Sequence, residues 1–139
     1  MKKSKWLFIT LLIAAACFAL AACAPFEDFD DDEVIAKKTS YSTVGPVENN
    51  IGNQYELTVK TFNGVKKIAK ITAADANPVL DVTLTIEEGE FKVVLVKDNK
   101  VYTVCDKDTS EPVTCQVEAG TYTLKIVGRD AKVKFKVNY

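Results

Sequence analysis

No histidine occurs among the 139 residues, and the single tryptophan, Trp6, stands close to the N-terminus. Without histidine, a serine or cysteine nucleophile lacks its usual general base and zinc lacks its usual nitrogen ligands. Beyond the first two dozen residues there is no G-x-S-x-G, no S-x-x-K and no phosphate-cradling glycine loop. No helical periodicity is sustained there either. The one carboxylate group suited to acid–base work is Glu87, Glu88 and Glu90 around Gly89. Paired carboxylates can hydrolyse glycosides, but this cluster reads as a polar turn between strands. These absences argue against catalysis and against any cofactor or bound metal.

The N-terminus is rich in what the remainder lacks. M-K-K-S-K is followed by W-L-F-I-T-L-L-I-A-A-A-C-F-A-L, a cationic head and an apolar run that turns alanine-rich. That order predicts a secretory leader. A retained membrane helix is disfavoured because an acidic segment follows in place of a positive stop-transfer cluster. The run ends in Leu20-Ala21-Ala22-Cys23, which resembles the lipobox of bacterial lipoproteins. The resemblance implies that Cys23 carries a diacylglyceryl group and becomes the mature N-terminus, with residues 1–22 removed. Cys17 lacks the pattern and reads as apolar filler within the leader. Two or more acyl chains hold a protein firmly on a bilayer, at about 0.8 kcal/mol per buried methylene. The expected location is therefore the extracytoplasmic side of a cell membrane or outer membrane.

Of the 18 basic groups, Lys2, Lys3 and Lys5 lie in the leader, leaving 15 against 19 acidic groups, a net charge of −4. That balance offers no case for nucleic acid as a partner. About 117 residues suffice for one small domain. Residues 23–53 begin with an acidic run, E-D-F-D-D-D-E, poor in apolar side chains. They are expected to form a flexible, self-repelling tether spanning about 30 Å, and not a calcium site.

From residue 54 to 139 the pattern changes to period two. Y-E-L-T-V-K-T-F precedes Asn63-Gly64, a strong hairpin signal, and V-K-K-I-A-K-I-T follows. V-L-D-V-T-L-T-I and F-K-V-V-L-V-K flank E-E-G-E, with Leu80, Val82, Leu84, Ile86, Phe91, Val93 and Leu95 directed inward. Asp98-Asn99-Lys100 predicts a turn, and Gly128-Arg129-Asp130 another between the last two strands. Lys132, Lys134 and Lys136 alternate with Val133, Phe135 and Val137, and read as guards on a terminal edge strand. Seven or eight such strands predict an all-β fold, a small antiparallel β-sandwich, immunoglobulin-like or jelly-roll-like. E-A-G-T-Y-T-L-K-I, with Tyr122, resembles the tyrosine-corner approach of immunoglobulin-like sandwiches. The tail from Gly120 also resembles the terminal hairpin of small secreted bacterial β-sandwich domains.

Outside the cytoplasm the remaining pair, Cys105 and Cys115, is expected to form a disulfide closing D-K-D-T-S-E-P-V-T. The nine-residue spacing does not match a redox C-x-x-C motif. Within that loop Asp106, Asp108, Ser110 and Glu111 alternate like part of a calcium loop but lack its glycine and terminal glutamate. The loop is the candidate contact site. The expectation is a lipid-anchored, non-catalytic binding or scaffold module meeting an envelope protein or polymer. Its alternative is a small inhibitor of an envelope or host hydrolase.

Overall fold

The computed structural model describes residues 24–74 and 78–139; the leader, Cys17 and the expected acylation site Cys23 lie outside the described residues. A short helix, α1 (Asp32–Lys37), precedes seven strands: β1 (Tyr41–Val44), β2 (Val47–Ile51), β3 (Gln54–Ala73), β4 (Val79–Lys97), β5 (Lys100–Cys105), β6 (Pro112–Thr114) and β7 (Gly120–Asn138). The fold is all-β and antiparallel, as expected. One sheet runs β1-β3-β7-β4-β5, with β2 continuing β1 along β3 and β6 lying on β4.

Three of the expected turns are not turns. Phe62 pairs with Ala131 and Gly64 with Gly128, so β3 and β7 pass through Asn63-Gly64 and Gly128-Arg129-Asp130 without reversing. Likewise β4 runs through Gly89, with Glu88 opposite Lys132 and Glu90 opposite Arg129. At this shared level the strands bend. Register slips between Val59 and Gly64 in β3 and between Ile86 and Glu90 in β4, and Gly89 and Asp130 both have positive φ. Bulges of this kind bend a strand while keeping it in the ladder. The true hairpins are Gly52-Asn53 and Asp98-Asn99, where Asp98 and Asn99 both take the left-handed conformation that a tight two-residue hairpin favours.

The bends make a sandwich from one sheet. Phe135 pairs with Leu84, and Phe91 lies seven residues farther along β4, about 23 Å in an extended strand. Yet the Phe91 and Phe135 rings are 5.6 Å apart, and Phe62 meets Phe91 edge-on at 6.0 Å. The two halves of the sheet, a near half with residues 54–59, 79–86 and 133–138 and a far half with residues 64–73, 91–97 and 120–128, therefore face each other. Tyr55, Leu57, Leu84, Phe91, Leu95, Tyr122, Leu124 and Phe135 form the core between them. Tyr122 donates its hydroxyl to the Glu118 carbonyl at 2.6 Å, the back-reaching bond of a tyrosine corner.

The expected tether is part of the domain. Phe26, Phe29 and Ile35 are buried on the outer face of the far half, against Val65, Val94, Val96 and Val127. Residues 26–38 thus form a strap, and 41–51 supply strands β1 and β2. The acidic run has a local use: Asp31 caps α1 by accepting from Val34 N–H at 3.2 Å, with Asp32 and Glu33 in the first turn. At the other end the buried Lys125 ammonium donates to the carbonyls of Ile35, Ala36 and Lys38 at 2.9–3.1 Å. Burial pushes the Lys125 pKa down, with Lys67 adding to the effect. Cations cover the aromatic rings: Lys38 lies 4.7 Å from the Phe26 centroid, and Lys92 and Arg129 lie 4.6 and 5.1 Å from that of Phe29.

Two outcomes test this arrangement. A Cβ at Gly89 would meet the carbonyl oxygens of Asp130 and Arg129 at 2.1 and 2.5 Å, whereas one at Gly52 meets nothing within 4 Å. Both glycines have positive φ, so urea titration should show a loss of about 1 kcal/mol for Gly52→Ala. Gly89→Ala should cost about 3 kcal/mol or more. Equal losses would contradict the bend. Phe29→Ala should lower stability by about 3 kcal/mol, where a free tether would show no change.

Candidate functional site

The outer faces of the two halves are treated differently. The strap covers the far one. The near one is open, and its rows follow from register: Thr58, Lys134 and Thr85 lie side by side, as do Glu56, Lys136 and Thr83. These six side chains line a shallow depression of about 350 Å³. Threonines suit this position because β-branched side chains fit a pleated surface and their hydroxyls remain available to a partner. Lys134 is 65 % exposed.

Charge on this face is mixed. Lys136 pairs with Glu56 at 3.3 Å, while Lys132 and Lys134 lie 3.3 and 3.8 Å from Glu87. Exposed pairs of this kind contribute little to stability and can exchange partners readily. Because β7 lies between β3 and β4, these lysines belong to the middle of the sheet and are not edge guards. Lys125 does not join them, being buried under α1. Glu90 is held by Arg129, and Glu87 by its lysines. Glu87 and Glu90 are thus each tied to cations on β7.

The loop carrying Asp106, Asp108, Ser110 and Glu111 borders this face. Leu84 and Thr109 exchange two backbone bonds of 2.8 and 3.0 Å, and Asp108 Oδ1 accepts from Ile86 N–H at 2.8 Å. Thr83 and Thr85 flank Leu84, so the loop forms the rim beside the threonine rows. Asp106, Asp108, Ser110 and Glu111 are exposed. No group of three or more metal-ligating side chains occurs among the described residues.

The expected disulfide is absent. Cys105 and Cys115 are both free, and Cys105 Sγ lies 3.0 Å from the Lys107 carbonyl. The expectation required their strands to lie side by side. They lie instead end to end on β4, with Cys105 opposite Val93 and Thr114 opposite Val79, fourteen positions apart on that strand. Burial pushes both thiol pKa values up, against the thiolate form that reacts.

One polar cluster lies away from the open face. Tyr55 donates to Glu48 Oε1 at 2.6 Å, and Lys66 pairs with the same carboxylate and donates to the Tyr41 hydroxyl at 2.8 Å. Tyr41 also stacks on Phe62 at 5.5 Å. Burial first, then Glu48, raises the Tyr55 pKa far above the usual phenol range. Every member is occupied by another, so the cluster fastens the β2 edge to the core. The period-two pattern assigns sides to β3, β4 and β7, but no sequence signal joins Thr58 of β3 to Thr85 of β4. Their meeting depends on β7 lying between them.

No family model matches the chain, and no curated protein matches it in sequence.

The Glu48 cluster gives a pH test. Lys66 foremost, then the Tyr55 hydroxyl, holds the Glu48 carboxyl below its usual value of 4.5. With the folded pKa below the unfolded one, its contribution is complete above about pH 4.5 and is lost as pH falls through the folded value. Glu48→Gln should flatten the acid limb of a urea-midpoint profile between about pH 3 and 6. The effect should stay under about 1 kcal/mol because the carboxylate is 40 % exposed. An unchanged acid limb would rule the cluster out as a stabilising element.

Proposed function

We propose that the chain is a lipid-anchored extracytoplasmic lipoprotein, acting as a non-catalytic binding or scaffold module. The observation that carries this reading is Leu20-Ala21-Ala22-Cys23 standing in register behind a cationic head and an apolar run. The open threonine–lysine face and its rim loop are the surface offered to an envelope protein or polymer. Hydroxyl and ammonium donors in parallel rows suit an extended chain of acceptor groups, and no tight cleft is needed for such contact. Charge-paired carboxylates and the lack of histidine weigh against acid–base chemistry on this face. The inhibitor reading drew its support from a ring closed by Cys105 and Cys115. With both thiols free, that pre-ordered ring has no support.

Protein extracted from membranes should carry the mass of a chain beginning at Cys23 plus its acyl groups, and globomycin should block processing. An unmodified Cys23 would remove the anchor. For the face, Thr85→Glu combined with Lys134→Glu introduces one negative charge and reverses one positive charge at two exposed positions. Capture of envelope material by the soluble domain should fall about tenfold, equivalent to ~1.4 kcal/mol. The two glutamates would lie directly opposite each other and near Glu87, so stability should fall by about 1 kcal/mol, and a thermal midpoint well above the assay temperature shows that the variant remains folded. Undiminished capture would move the contact to another surface.

A further inference from the structure

We infer that the domain rests directly against the lipid surface in a fixed pose, with the Tyr41–Ser42 margin at the bend nearest the bilayer. This rests on the acylation of Cys23 proposed above. The observation behind it is where the strap begins. Phe26 is 7 % exposed, its backbone N–H donates to Asn63 Oδ1 at 3.0 Å, and Lys38 covers its ring. Only Ala24 and Pro25 separate this fixed point from Cys23. Three residue steps reach at most about 10 Å, whereas a slack tether to Asn53 would span about 30 Å.

Ala24 and Pro25 share a groove with Lys38, Ser40, Tyr41, Ser42, Asn63 and Gly64. An acylated Cys23 must lie at headgroup depth, so this groove is brought to the headgroup region with it. The margin has suitable chemistry: Tyr41 is 44 % exposed, and an aromatic ring with a polar tip favours the membrane–water interface. Lys38 adds a cation beside it. The opposite end of the near half is held away. Asn50 pairs with Tyr55, beyond the regular stretch of β3 from Val59 back to Tyr55, about 13 Å of extended strand on the far side of the bend from Tyr41. The domain therefore has a proximal end and a distal end.

The mature chain lacks tryptophan, because Trp6 is lost with the leader. Ser42→Trp and Asn50→Trp, both at exposed sites, thus give single-probe proteins. Each acylated full-length mature protein is reconstituted in vesicles of phosphatidylethanolamine and phosphatidylglycerol containing brominated acyl chains. Mass spectrometry and vesicle flotation of the unsubstituted protein come first; loss of either overturns the anchor itself. With the anchor established, quenching at position 42 should exceed that at position 50 at least threefold. A Gly-Ser spacer of about ten residues between Ala24 and Pro25 should abolish the difference without changing acylation. Equal quenching at the two sites, or stronger quenching at position 50, overturns the fixed pose while leaving the lipoprotein reading intact. Matching thermal midpoints for the probe proteins confirm that they remain folded.

Discussion

The carboxamide of Asn63 joins the three parts of the molecule on which the rest of the fold depends. Its oxygen accepts from the N–H groups of Phe26 and Asp130, and its nitrogen donates to the Asp130 carboxylate at 3.1 Å. One side chain on β3 thus fixes the bend of β7 and the entry of the strap. A buried amide left without its partner costs about 1–3 kcal/mol, and here two backbone donors would lose the same acceptor. The bend also creates the core, because only a folded sheet brings Phe91 against Phe135. Packing, bend and strap are therefore coupled through a single polar residue with 6 % exposure.

Burial then follows from which face each half turns outward. The near half of β4 alternates buried and exposed from Val79 to Thr85, as a sheet with one wet face does. Its far half is buried continuously from Phe91 to Val96, because the other half covers one side and the strap covers the other. Lys125 lies within that second interface. Its ammonium is retained there because three helix-end carbonyls replace water around it. The strap and the open threonine face consequently occupy opposite outer sides of the sandwich.

The strand content was legible from alternation, and so were the inward residues Leu84, Phe91, Val93 and Leu95, all buried. The connectivity was not. Asn63-Gly64 and Gly128-Arg129-Asp130 carry the residue types of turns because a sharp bend needs the same freedom from steric restriction. Local chemistry cannot distinguish a chain that reverses from one that bends and continues; the partner strand decides. F-K-V-V-L-V held a signal for two-sided burial in its unbroken apolar run, yet alternation assigned only Phe91, Val93 and Leu95. In F-E-D-F-D-D-D-E the charges conceal Phe26 and Phe29, which are three residues apart and covered by Lys38, Lys92 and Arg129. Those cations come from elsewhere in the chain, so composition within the segment could not reveal them. The loop at 106–111 was legible as exposed, but its place beside Thr83 and Thr85 rests on the Leu84–Thr109 pairing.

The strap changes what an N-terminal anchor does mechanically. A body on a slack tether samples every orientation, so no face is preferentially displayed and each contact must bear the cost of ordering that freedom. With Phe26, Phe29 and Ile35 packed on the sheet, much of that ordering is completed during folding. With the acylation proposed for Cys23, the attachment point would be a feature of the rigid domain, at the bend, and the face opposite the strap would carry the threonine–lysine rows at a defined angle to it. The acidic groups between the aromatics then have a consistent role. They remain in water on the outside of the strap and cap α1 through Asp31, so the segment keeps a wet outer side while Phe26, Phe29 and Ile35 pack inward.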